Sequence, residues 1–152
     1  MALPLIEESI DINATPEQVW TVISDLKRMG EWSPQCLKMI VRGPVALDTK
    51  TINFNRRGAL VWPTTAKVVQ FEPNKRIGFR ISENNTVWSY EITPAEAGGV
   101  TVTERRVAVN GQTSKVSAFL VDKVLGGNDT FEAELKVGMA ETLGKIKRAV
   151  EN

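Results

Sequence analysis

TVWSYEITPAEAGGVTVTERRVAV, residues 86–109, is two alternating runs joined by a turn. Trp88, Tyr90 and Ile92 share one phase, and Ser89 and Glu91 share the other. After Glu96-Ala97-Gly98-Gly99 the alternation resumes. Val100, Val102, Glu104, Arg106 and Ala108 point one way, and Arg105 lies opposite. A period of two is the mark of a half-buried strand, and a turn rich in glycine closes such a pair into a hairpin. The stretch predicts strands over Thr86–Thr93 and Val100–Val109.

Upstream the same texture repeats. Leu37–Val41, Thr49–Asn55, Trp62–Phe71 and Arg76–Ile81 read as strands. They are separated by Arg42-Gly43-Pro44, Arg57-Gly58, Glu72-Pro73-Asn74 and Glu83-Asn84-Asn85, all turn chemistry. Connections this short join antiparallel neighbours, because parallel pairs need a dozen or more crossover residues. Leu5–Asn13 adds a seventh strand, with Ile6, Ile10 and Ile12 in one phase.

Helical signals flank this block. Thr15 precedes Pro16, and Gln18 three residues on completes a capping box. Val19, Trp20, Ile23 and Leu26 follow at helical spacing, and Ser24 or Asp25 is placed to cap a second short helix ending near Gly30. At the far end Thr113 or Ser114 starts a piece running to Leu125, which Gly126-Gly127-Asn128-Asp129 interrupts. Asp129 with Glu132 is a new start signal. Phe131, Leu135, Met139, Leu143, Ile146 and Val150 then form one apolar stripe over about 20 residues, or roughly 30 Å of helix. The order is β-αα-β6-α, an α+β arrangement, and residues 1–152 read as one domain.

Composition narrows the function. Nineteen basic and eighteen acidic residues leave a formal charge of +1, so a nucleic-acid partner, which calls for a clustered basic excess, is not expected. The chain has no histidine, which removes Ser-His-Asp, Cys-His and His-ligated zinc chemistry together. Its one cysteine, Cys36, excludes an internal disulfide and a CxxC metal site. It has no basic neighbour to make a thiolate, so a buried thiol is expected. No metal and no cofactor are expected. The start MALPLIEES lacks the features of a signal peptide, and the longest apolar runs fall far short of a membrane span. A cytoplasmic protein without stable membrane insertion, monomeric or weakly homodimeric, is the expectation.

A twisted sheet of this size curls, and one helix about 10 Å wide is too narrow to fill its concave face. The inward phase decides whether the gap is solid or hollow. Alternation assigns to it Phe54, Trp62, Val68, Ile77, Phe79, Ile81, Trp88, Tyr90, Ile92, Val100 and Val102, with Asn53 and Asn55 on the solvent side.

ESIDINATPEQVWTVISDLKRMGEW, residues 8–32, resembles the start of the SRPBCC superfamily, the START-like or helix-grip proteins, and most of all its polyketide cyclase/dehydrase-like branch. The residues that carry the likeness are Pro16, Val19, Trp20, Asp25, Trp32, Ser33 and Pro34. Residues 54–81 (FNRRGALVWPTTAKVVQFEPNKRIGFRI), 87–104 (VWSYEITPAEAGGVTVTE) and 138–151 (GMAETLGKIKRAVE) are similar to small bacterial members, so the likeness spans nearly the whole chain. It implies a helix-grip fold, in which a curved seven-stranded antiparallel sheet wraps around a long C-terminal helix. It also implies an apolar small-molecule ligand: a lipid, an isoprenoid or a polyketide-like aromatic. Fold alone does not choose among carriers, receptors and cyclases.

Among candidate residues Glu104 stands out. In phase with Val100 and Val102, it reads either as a cavity carboxyl able to orient a ligand or serve as acid or base, or as a rim group paired with an arginine or open to water. Tyr90 is the second candidate for proton chemistry. Trp62, Trp88 and Tyr90 read as ligand-stacking groups or as ordinary core, and Trp20 as core. Thr64 shares the phase of Trp62 and is a modest polar candidate. The expected pocket is Phe54, Trp62, Thr64, Phe79, Trp88, Tyr90, Val102, Glu104, Phe119, Leu120, Val124, Phe131, Leu135 and Met139. In it Val116, Phe119, Leu120 and Val124 would line a lid hinged at Gly126-Gly127, a site that reads equally as a plain turn between helices. With no histidine, binding is expected ahead of catalysis. The alternatives are a cyclase or dehydratase using Glu104, and a groove that holds a partner peptide.

Overall fold

The computed structural model describes residues 5–108 and 128–151, with side chains in the second stretch from Glu132 onward. The strands are β1 (Leu5–Ile12), β2 (Cys36–Val41), β3 (Lys50–Arg57), β4 (Leu60–Glu72), β5 (Arg76–Ile81), β6 (Thr86–Pro94) and β7 (Val100–Ala108). They form one antiparallel sheet in the order β1-β7-β6-β5-β4-β3-β2. The meander expected from the turns is therefore present, and β1 closes against the last strand. The long helix α3 (Asn128–Glu151) packs on β1 and against α1 (Pro16–Ile23) and α2 (Met29–Trp32). This is the helix-grip arrangement.

Local chemistry explains the joints. The capping box forms as read: Gln18 N–H donates to Thr15 Oγ1 at 3.2 Å, and Thr15 N–H donates to Gln18 Oε1 at 2.9 Å. Asp25, by contrast, makes no capping hydrogen bond. Asp25 stands at the N-cap position of a single 3-10 turn, Leu26–Arg28, that leads into α2, whose own N-cap position is Arg28. Gly98 and Gly99 turn β6 into β7 with φ of +95° and +73°. A side chain at Gly99 would also strike the Ile12 carbonyl oxygen.

The β3–β4 hairpin is tighter than expected. Arg57 pairs with Leu60, so both strands run to a two-residue turn and extend past the predicted ends. That register places Asn53 opposite Thr64, Asn55 opposite Trp62 and Phe54 opposite Pro63. Asn53 is accordingly buried, only 2% exposed, whereas Ile52 and Phe54 lie on the outer side. The predicted faces of β3 are thus reversed, and Phe54 does not enter the interior.

Ile12, Val19, Leu26, Val68, Ile77, Val102, Leu143 and Ile146 are the fully buried heart of the core. They fill the end of the grip where α1 meets α3. A chain this long buries enough surface to hold such a core without crosslinks.

Candidate functional site

Away from that packed end, sheet and helix diverge around a cavity of about 130 Å³. Phe79, Ile81, Trp62 and Trp88 form its sheet wall, and Leu135 and Met139 its helix wall. Met29, Cys36 and Met39 close it from the α2–β2 side. These are apolar groups with adaptable sulfur-bearing side chains among them.

Two polar clusters break the apolar lining. One lies on β3 and β4. Thr51 Oγ1 donates to Asn53 Oδ1 at 2.8 Å, and Asn53 Nδ2 donates to Thr64 Oγ1 at 3.3 Å. Asn55 Nδ2 donates to the same Thr64 oxygen at 3.0 Å and to the Trp62 carbonyl at 3.2 Å. Neutral groups here satisfy one another, which is what allows them inside.

The other cluster is charged. Register pairs Tyr90 with Glu104 and Trp88 with Arg106 across β6 and β7. Tyr90 O–H donates to Glu104 Oε2 at 3.1 Å. Glu104 is 4% exposed, and its Oε1 is buried with no hydrogen-bond partner among the described residues. Burial pushes the Glu104 carboxyl up to about 8, partly opposed by the Tyr90 hydrogen bond. At neutral pH it is therefore a carboxylic acid. The Tyr90 phenol is raised well above its ordinary value by burial and by Glu104. Arg106 Nη2 donates to Glu132 Oε2 at 2.6 Å, tying β7 to the start of α3. Burial pulls the Arg106 guanidinium down, while Glu132 holds it up.

Of the predicted pocket, Trp62, Thr64, Phe79, Trp88, Tyr90, Glu104, Leu135 and Met139 come together around the cavity. Phe54 does not, because β3 turns its other face inward. Val102 is buried in the core beside the cavity and is not part of its lining. Phe119, Leu120, Val124 and the side chain of Phe131 lie outside the described residues, as do the Gly126-Gly127 hinge and Val116.

Sequence reasoning missed, as lining groups, the polar Ser33, Gln35, Asn53, Asn55, Asn84, Thr86, Arg106, Glu132 and Thr142, and the apolar Met29, Met39 and Ile81. The two-residue turn at Gly58 was the available signal for Asn53 and Asn55, since it fixes which β3 residues face Thr64. Glu132, taken for half of a capping box, faces Arg106 instead. Cys36 is buried as expected, its thiol pushed up to about 11 by desolvation, and it also lines the cavity. Among the described residues no group of three or more His, Cys, Asp or Glu could hold a metal ion, and no helix is long and apolar enough to cross a membrane.

A chamber with apolar walls and many polar side chains at its margins, one of them a carboxyl with a displaced titration, can hold a small molecule and could move a proton on it. Known proteins share the frame. A polyketide cyclase-like protein of Corynebacterium glutamicum is 29% identical, with a TM-score of 0.61 over 97% of this chain and 91% of that one. The Zhui aromatase/cyclase of Streptomyces sp. R1128 matches with a TM-score of 0.71 at 13% identity, covering 97% of this chain and 93% of its own. The di-domain aromatase/cyclase BexL of the BE-7585A biosynthetic pathway matches at 0.72 and 15% identity, covering 97% of this chain and 50% of its own. At such low identities these last two are likenesses of fold. No curated protein matches the chain. The model of the family described as polyketide cyclase/dehydrase and lipid transport matches residues 4–151, and the chain belongs to that family.

Proposed function

We propose that the protein binds a small, largely apolar molecule in the chamber between sheet and α3. The observation that carries this reading is the chamber itself: about 130 Å³, walled by Trp62, Phe79, Trp88, Leu135 and Met139. An apolar cavity of roughly 150 Å³ is known to take up benzene in an engineered lysozyme, so the space suits a single ring or a short branched chain. It is small for the long acyl chains and polycyclic aromatics that the family resemblance brings to mind. Burying about 200 Å² of apolar ligand is worth roughly 5 kcal/mol gross. After the cost of lost freedom, affinities on the order of micromolar to millimolar remain. The same reading takes the chain as one domain, acting in the cytoplasm as a monomer or weak homodimer, with no nucleic-acid partner.

Native mass spectrometry of the purified protein tests it. The expected result is a non-covalent adduct the size of a small cyclic molecule, lost on unfolding. Protein that is adduct-free and shows no amide shift changes on titration with benzene refutes the reading.

A second reading is favoured by one observation, the buried Glu104 acid beside Tyr90. It makes the protein a cyclase or dehydratase in which Glu104 passes a proton to and from the ligand. Glu104→Gln separates the two readings: it abolishes turnover in an enzyme and leaves a carrier's ligand uptake in place.

A further inference from the structure

The charge inventory of the chamber says more about its ligand than its apolar walls do. Among the described lining residues three are acidic or basic side chains: Glu104, a neutral acid at neutral pH, and the paired Arg106 and Glu132. Arg106 is committed to Glu132 at 2.6 Å, with the two side chains 5% and 6% exposed. An anionic ligand would therefore enter beside two carboxyls, with the chamber's described guanidinium already matched. Among the described residues it would find no unmatched counter-ion on leaving water, which is costly.

Glu104 offers the opposite opportunity. Tyr90 occupies Oε2, and Oε1 is buried without a hydrogen-bond partner among the described residues. A buried polar atom left unmade carries a penalty that a suitable ligand group removes. A hydroxyl is suited because it both donates and accepts, so it serves Oε1 with or without a proton. A carboxylate only accepts, and it brings charge with it.

We propose that Glu104 makes the chamber selective for an uncharged, ring-sized ligand bearing a hydroxyl group, a phenol or cyclic alcohol in class, and against carboxylates of the same size. The inference rests on the chamber's being a ligand site. It names Glu104 as the residue that sets specificity, through Oε1.

The test uses the intact protein at pH 6.5, titrated with benzene, phenol, benzyl alcohol and benzoate, with dissociation constants read from amide and methyl shifts. In the wild type benzyl alcohol is expected to bind at least about tenfold more tightly than benzoate, which it closely matches in size. In Glu104→Leu the affinity for phenol relative to benzene is expected to fall by about fivefold to tenfold, the worth of one hydrogen bond. Glu104→Gln keeps a donor and an acceptor at the site and is expected to hold that ratio within about twofold. An unchanged phenol-to-benzene ratio in Glu104→Leu overturns the proposal, as does benzoate binding as well as benzyl alcohol. The second arm needs only the wild type, so it stands even if Glu104→Leu does not fold. Benzene binding with an unaltered ratio sinks the specificity alone, whereas no binding by any of the four probes sinks the ligand site itself.

Discussion

On its outer face the sheet carries a ladder of ion pairs open to water. Arg105 reaches Glu7 at 2.7 Å and Glu91 at 3.1 Å, and Arg76 reaches Glu91 at 3.3 Å and Glu72 at 3.2 Å. On its inner face the next residue, Arg106, meets Glu132 at 2.6 Å out of contact with water. Glu104, two residues earlier, is held there by a single phenol. Arg105 and Arg106 are the same residue type on the same strand, separated only by the pleat. Outside, water solvates whatever the partner does not, so each contact is nearly dispensable. Inside, the partner must replace the solvent, and a missing one is felt in full. The cavity's chemistry depends on that difference.

Breaking the inner pair is the severest challenge to this contrast. Glu132→Leu removes the buried carboxylate that Arg106 meets at 2.6 Å, and a loss of about 3–5 kcal/mol in urea unfolding is expected. Arg106→Met combined with Glu132→Leu removes both charges and is expected to recover most of that loss, because the pair's net worth over apolar packing is small. A Glu132→Leu cost below about 1 kcal/mol would place this pair with the outer ladder and erase the distinction.

Glu104 sharpens the contrast through pH. In the unfolded chain its carboxyl titrates near the ordinary 4.5, and in the folded protein at about 8. Between those values the native state keeps a proton that the unfolded state has released. Stability from this group therefore falls as pH rises from about 4.5 to about 8, and levels off above. The total is on the order of a few kcal/mol. Glu104→Gln has no such dependence, so the stability of the variant relative to wild type is expected to rise between pH 5 and pH 9. Parallel pH profiles for the two proteins would mean that the carboxyl is not desolvated in the native state.

Much of this was legible in the chain. The turn spacing predicts the meander, and strict alternation through Val100–Ala108 puts Glu104 and Arg106 inside and Arg105 outside, where they are found. Alternation failed on β3 for a physical reason: it equates inside with apolar. There the inner face is occupied by Thr51 and Asn53, whose hydrogen bonds with one another and with Thr64 remove the cost of burial. Ile52 meanwhile pairs with Ile40 on the outer side. Hydrophobicity alone cannot see that compensation; the register set at the Gly58 turn can. The Arg106–Glu132 pair was hidden for another reason, since its partners are 26 residues apart and meet only through the packing of α3.

The smallest expected effect belongs to Arg105, and it is the control for all the others. Its side chain is 34% exposed, and both of its acidic partners also see solvent. Side-chain hydrogen bonds to Glu7 and Glu91 hold its guanidinium above the ordinary value against the cost of partial burial. Screening by water and ions discounts that attraction heavily. Removing Arg105 also leaves Glu91 paired with Arg76, so the ladder is shortened and not undone. Arg105→Ala is expected to cost less than about 1 kcal/mol in urea unfolding, and less again in 1 M salt, where the remaining attraction is screened. A cost comparable to that of Glu132→Leu, insensitive to salt, would show that the ladder works as a cooperative unit and that the medium on each face is not what separates these two arginines.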